Sequence, residues 1–240
     1  MRFSFPYLDE NEDYEFPPVE QASPEGIVAM GGNLSPGMLL SAYRQGIFPW
    51  YSEDDPLLWW SPDPRFILFP ADFHIPESLR KTLKRKIYTV RFDTAFSDVI
   101  RQCSQVPRPD QDGTWITEEM IDGYVRLHEL GYAHSVEAWQ DGTLVGGLYG
   151  VSLGKAFFGE SMFSLSPDSS KVCLVTLVQC LESYGFPFID SQVETPHMKR
   201  FGAKNIPREH YLKILKEALC GTTIKGKWTD LFGEARKGRK

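Results

Sequence analysis

The sequence predicts an α+β fold: a small N-terminal α/β domain over residues 1–70, then a larger domain over 71–240 in which helices flank a mixed sheet. Three observations lead there. The chain has 240 residues, 42% of them apolar, enough to bury the core of one large domain or two modest ones. An aromatic, proline-punctuated segment runs to Pro70, where a boundary fits. From Thr117 onward the pattern reads helix, antiparallel strands, helix, strand, helix.

Taken in order, residues 1–25 are rich in acids (Asp9, Glu10, Glu12, Asp13, Glu15) with Pro17-Pro18, and read as an irregular arm. Ile27–Met30 is a short strand turned by Gly31-Gly32-Asn33. Ser35 caps a helix with Pro36 in its first turn, and Gly46 ends it. Leu39, Leu40, Tyr43 and Ile47 fall near one face of that helix. Phe48, Trp50, Tyr51, Trp59 and Trp60 follow among Pro49, Pro56, Pro62 and Pro64, too many breakers for one regular element. Such rings make either a small stapled core or a stacking platform for a base or an aromatic substrate. Ile67–Phe69 looks like a strand.

Residues 77–91, ESLRKTLKRKIYTVR, form the most basic stretch. Arg80 and Lys84 are four apart, as are Lys81 and Arg85, so a helix near 77–86 sets most of these charges on adjoining faces. A charge run is commonly a solvated face. In a chain of net charge -6 it also suggests local contact with phosphate.

Thr94–Cys103 reads as a helix and Pro107–Asp112 as a loop. Thr117 caps the next helix, with Glu118 and Glu119 in its first turn and Gly131 past its end. His134–Gln140 and Thr143–Val151 are strands joined by an Asp141-Gly142 hairpin turn, and Lys155–Phe163 is a third strand. Ser166 is expected to cap a long helix over Pro167–Tyr184, with Leu174, Leu177, Val178 and Leu181 on its apolar face. Thr195-Pro196 and Pro207 open two further helices, and the basic tail is expected to fray.

Between them lies Gly185–Val193, GFPFIDSQV, a strand by composition. Alternation would put Phe186, Phe188, Asp190 and Gln192 on one face and Pro187, Ile189, Ser191 and Val193 on the other. A carboxylate on an apolar strand is costly unless something pairs with it or uses it. An acid at a strand end also caps loops, and pattern alone does not separate the two.

Four scattered cysteines without a CxxC pair fit reduced thiols. His74, His128, His134, His197 and His210 have no recognised ligand spacing, so no metal is expected. The start lacks the apolar core of a signal peptide, and no run approaches the ~18 apolar residues of a membrane span. There is no GxxxxGK[ST] loop for ATP.

The chain resembles the leucyl/phenylalanyl-tRNA–protein transferases from about Pro24 to Leu219. The resemblance is carried by GGNLSPGMLLSAYRQGIFPW (31–50), WWSPDPR (59–65), GTWIT (113–117), YVRLHELGYAHSVE (124–137), VGGLYG (145–150), FGESMF (158–163) and IDSQV (189–193). It implies a cytoplasmic enzyme with a GNAT-like acyltransferase domain, without metal or nucleotide cofactor and here expected as a monomer. Its action would be to move Leu or Phe, and less readily Met, from aminoacyl-tRNA to proteins or peptides with N-terminal Arg or Lys, marking them for degradation by the N-end rule pathway. By the same resemblance Asp190, Gln192 and Glu160 are catalytic candidates. Tyr43, Trp50, Trp115 and Tyr124 match aromatics of the substrate site. Leu148, Leu174, Leu177, Leu181 and Ile189 would line the aminoacyl pocket, and Arg80, Lys84 and Arg85 lie where tRNA is bound. Spacing alone does not separate those leucines from plain core.

The implied reaction, an amine attacking an activated ester, runs downhill and needs no ATP. An α-amino group of pKa ~7.7–8 is partly neutral near pH 7, so no strong base is required. Asp190 is expected to orient and electrostatically favour the amine, with Gln192 fixing its geometry; a proton relay through the tRNA ribose is an alternative. A CoA-dependent acetyltransferase would need glycines near Pro167 to cradle pyrophosphate, and SLSPDSSK has none. A non-catalytic RNA-binding module would explain the basic stretch and the rings, but not the polar trio in apolar strands.

Overall fold

The structure is a computed structural model and describes residues 6–52, 55–106, 116–229 and 231. The loop expected at 107–112, Trp115 and the basic tail after 231 lie outside these residues. The strands β1 (Ile27–Met30), β2 (Phe48–Pro49) and β3 (Leu58–Trp60) form a small antiparallel sheet with β3 in the middle. Seven more described strands form the main sheet: β4 (Arg65–Leu68), β5 (Thr89–Phe92), β6 (Ala133–Gln140), β7 (Thr143–Leu153), β8 (Ala156–Ser164), β9 (Phe188–Asp190) and β10 (Lys204–Ile206). Their order is β10-β4-β9-β8-β7-β6-β5. Every pair is antiparallel except β8 with β9. The helices are α1 (Pro36–Arg44), α2 (Glu77–Arg85), α3 (Phe96–Gln105), α4 (Glu118–Glu129), α5 (Ser169–Ser183), α6 (Pro196–Lys199) and α7 (Arg208–Leu219). The α+β class with a mixed sheet and flanking helices is as the sequence predicts.

Successive residues of the central strands enter different cores. Phe158, Phe188 and Tyr149 pack with α1, α3, α4 and α7, whereas Phe157, Ile189 and Leu148 pack with α5 and α2. The parallel pair β8–β9 needs a crossover, and α5 supplies it. The hairpin strands β6 and β7 turn at Asp141-Gly142, where both residues take the positive φ that such a tight turn requires (49° and 79°). The N-terminal arm docks rather than trailing free: Phe16 is buried against Trp59.

Three local expectations need correcting. The helix after Ser166 starts at Ser169, because Asp168 sits in the left-handed region (φ 63°), where Thr82 and Lys171 hold its carboxylate. The strand at 185–193 shrinks to Phe188–Asp190, since Gln192 has φ 56° and the Val193 N–H donates to the Ser191 carbonyl at 2.7 Å. That i→i+2 bond makes a tight γ-turn of the strained hand, which ends the alternation. Phe186, finally, does not share a face with Phe188; it packs in the opposite core. No helix among the described residues is long and apolar enough to cross a membrane.

Candidate active site

The parallel pair β8–β9 is hydrogen-bonded only over Ala156–Phe158 and Phe188–Asp190. Beyond it β8 continues to Ser164 while the other chain turns away at Gln192. The strands part, and a cavity of about 800 Å³ opens between them, closed on one side by α5 and on another by Phe48, Pro49 and Trp50. Its walls are mostly apolar: Leu148, Phe157, Met162, Leu174, Leu177, Ile189 and Met198. Polar groups enter from Glu160, Ser161, Ser191, Gln192, Glu194 and His197. An apolar hollow with a few convergent polar groups is the usual form of a small-ligand site.

Glu160 reaches this wall through a β-bulge. Tyr149 pairs with Ser161 and Gly150 with Gly159, so Glu160 is the extra residue with no partner across the strand. Gly150 permits it, since a Cβ there would collide with the Phe158 carbonyl oxygen. The Tyr43 hydroxyl donates to Glu160 Oε1 at 2.7 Å, the Tyr124 hydroxyl to Oε2 at 3.0 Å, and Gln192 Nε2 to Oε1 at 3.1 Å. The two phenols also meet each other in a very short hydrogen bond; they carry two protons between them, so all three contacts are filled only when Glu160 is protonated and donates in turn. Burial pushes the Glu160 carboxyl up to about 7, against the opposing pull of the two tyrosine hydrogen bonds. Burial, with Glu160 beside them, also raises both phenols well above their ordinary range. Glu160 is therefore an acid–base group poised near neutrality.

Asp190 is placed differently from the expectation that it meets substrate. It is fully buried beneath the cavity and does not line it. Arg65 grips it in two-pronged fashion, Nε to Oδ1 at 2.9 Å and Nη2 to Oδ2 at 2.7 Å, and the Tyr211 hydroxyl donates to Oδ2 at 2.7 Å. The Gln192 backbone N–H donates to Oδ1 at 3.0 Å. Four donors thus occupy the carboxylate, and it holds the strained Gln192 turn. The Arg65 guanidinium lies over Phe48 and Tyr211, 4.8 and 4.6 Å from the ring centroids. Although burial opposes it, the Asp190 charge raises the guanidinium above its ordinary value, so it stays ionised.

Of the other expected residues, Trp50, Leu148, Leu174, Leu177 and Ile189 line the cavity. Tyr43 and Tyr124 act from beneath through Glu160, and Leu181 is buried in the adjoining core without reaching the cavity. Trp115 lies outside the described residues. In the aromatic segment Trp59 is core, and Trp50 is cavity wall. Arg80, Lys84 and Arg85 are carried by α2, which flanks the start of α5 through Thr82 and Asp168, and all three are exposed there. Sequence reasoning missed Arg65 and Tyr211. A charged residue opening an apolar strand at Arg65–Leu68 was the available signal; Tyr211 gave none.

No group of three or more His, Cys, Asp or Glu side chains among the described residues could hold a metal ion. Residues 67–216 match the family model described as leucyl/phenylalanyl-tRNA protein transferase, and residues 32–63 match the model of its N-terminal domain. A leucyl/phenylalanyl-tRNA–protein transferase of Myxococcus xanthus is 61% identical over 225 residues, covering 93% of this chain and 96% of its own. Its counterpart in Aromatoleum aromaticum is 59% identical over 217 residues, covering 90% and 91%. Among solved structures, a GCN5-related N-acetyltransferase from Kribbella flavida aligns over 71% of this chain and 61% of its own, at 10% identity and a TM-score of 0.32, too slight a likeness to argue from. The family models and these relatives, each spanned over nearly its full length, establish that this chain belongs to the leucyl/phenylalanyl-tRNA–protein transferase family.

Proposed function

We propose that the chain transfers Leu or Phe, and less readily Met, from aminoacyl-tRNA to the N-terminal Arg or Lys of acceptor proteins, as a monomer in the cytoplasm serving the N-end rule pathway. The observation that carries this reading is the Glu160 carboxyl, hydrogen-bonded to Gln192 on the wall of an apolar cavity. The cavity suits a leucyl or phenylalanyl side chain and rejects charged ones through desolvation. The acceptor's α-ammonium group loses one proton to solvent, and Glu160 takes a second from the nitrogen as it attacks the ester carbonyl. The amide bond forms as the bond to the tRNA ribose oxygen breaks, and the proton passes from Glu160 to that departing oxygen. Gln192 orients the amine, and Asp190 with Arg65 holds Gln192 in place rather than meeting the substrate. Much of the acceleration comes from juxtaposing ester and amine. Arg80, Lys84 and Arg85 would contact tRNA phosphates, and a division into domains over residues 1–70 and 71–240 would leave β4, a strand of the main sheet, with the first.

The test uses purified protein, radiolabelled leucyl-tRNA and peptides beginning with Arg, Lys or Ala. Label entering only the first two supports the proposal. No transfer to any peptide, with acetyl-CoA consumed instead, overturns it.

A further inference from the structure

The charged side chains among the described residues lining the cavity are both acids, Glu160 and Glu194; no Lys or Arg lines it. His197, also on the wall, is pushed toward its neutral form by burial, with Lys171 and Arg200 adding to the effect. Glu160 is half-buried, its carboxyl engaged by two phenols and an amide. Glu194 stands at the rim with its side chain 40% exposed. Asn205 of β10 donates to its Oε2 at 2.6 Å and Lys199 of α6 to its Oε1 at 2.7 Å. Lys199 itself is 65% exposed on a long stem, so this pair gives way readily to a competing cation. Each carboxylate oxygen keeps a second lone pair, and Asn205 keeps the group aimed.

An acceptor that begins with Arg or Lys presents two cationic groups on one residue, its α-amine and the end of its side chain. A site for it needs two stations about one side chain apart. Gln192 and Glu194 are two residues apart, so their α-carbons lie within roughly 7 Å of each other. We infer that Glu194 recognises the cationic side chain of the acceptor's first residue while Glu160 and Gln192 take its α-amino group. This rests on the transferase reading above. Asp190 is left out of cation recognition, because Arg65 already neutralises it beneath the cavity.

The test compares wild type with Glu194→Gln, using leucyl-tRNA and two peptides that differ only in their first residue, Arg or its uncharged isostere citrulline. The ratio of kcat/KM for the Arg peptide to that for the citrulline peptide is expected to fall about fivefold, the upper end for an exposed ion pair. KM for leucyl-tRNA is expected to hold. An unchanged ratio, or an equal fall for both peptides, overturns the inference while leaving the transferase reading intact. Wild-type protein that transfers leucine to neither peptide overturns that reading and this inference together.

Discussion

Glu160 owes its near-neutral carboxyl to burial, and this has consequences for both rate and stability. Its folded value, about 7, lies above the ordinary 4.5, so the folded protein binds the proton more tightly than the unfolded chain. The stabilising contribution is complete below about pH 4.5 and is lost as pH rises through 7. Relative to Glu160→Gln, wild type should therefore lose about 3 kcal/mol between pH 4 and 9, read from urea unfolding at each pH. The same substitution should lower transfer by about 10²-fold and remove an inflection near pH 7 from the pH–rate profile. Asp190 answers to a different measurement. Asp190→Ala leaves the Arg65 guanidinium buried without its partner, and a loss of about 3–5 kcal/mol in denaturant stability is expected.

Elements were legible where a local signal decides them. Thr117 caps α4 through the Met120 N–H at 3.3 Å, Asp141-Gly142 turns the β6–β7 hairpin, and α2 covers Glu77–Arg85 as the charge spacing predicts. The misses were set by partners distant in sequence. Nothing near Asp168 announces that Thr82 will share in holding it in a left-handed turn that delays α5. Alternation along GFPFIDSQV fails at Gln192 because Asp190 captures its N–H, and Asp190 is in turn pinned from Arg65 and Tyr211. Leu174, Leu177 and Leu181 share a helical face, but only the first two lie where β8 and β9 have parted. On α2 the basic side chains make a separable prediction. Arg80→Ala with Lys84→Ala should raise KM for leucyl-tRNA and leave KM for the acceptor peptide unchanged. The salt dependence of tRNA binding should also weaken, by about 0.7–0.9 in log–log slope for each phosphate no longer neutralised.

At the scale of the molecule, the site is a seam. Phe48, Pro49 and Trp50 come from the small sheet and its edge, Glu160 from β8, Gln192 from the turn after β9, and the supporting Tyr211 from α7. Because β4 lies between β9 and β10, a fragment beginning at residue 71 would bare both neighbouring strands and leave Asp190 without Arg65. Such a fragment is expected to be insoluble or to give no cooperative melting transition, while the full chain melts as one unit. Arg65 is made early, and Tyr211 is made 146 residues later. At about 5–20 residues per second, a ribosome needs roughly 7–30 s to travel between them. For most of that interval the guanidinium must remain hydrated, because Asp190 too is synthesised only near its end. The site is thus finished only after Tyr211 has been synthesised, and a nascent chain shorter than that has no complete site with which to discharge an aminoacyl-tRNA while attached to the machinery that consumes the same substrate.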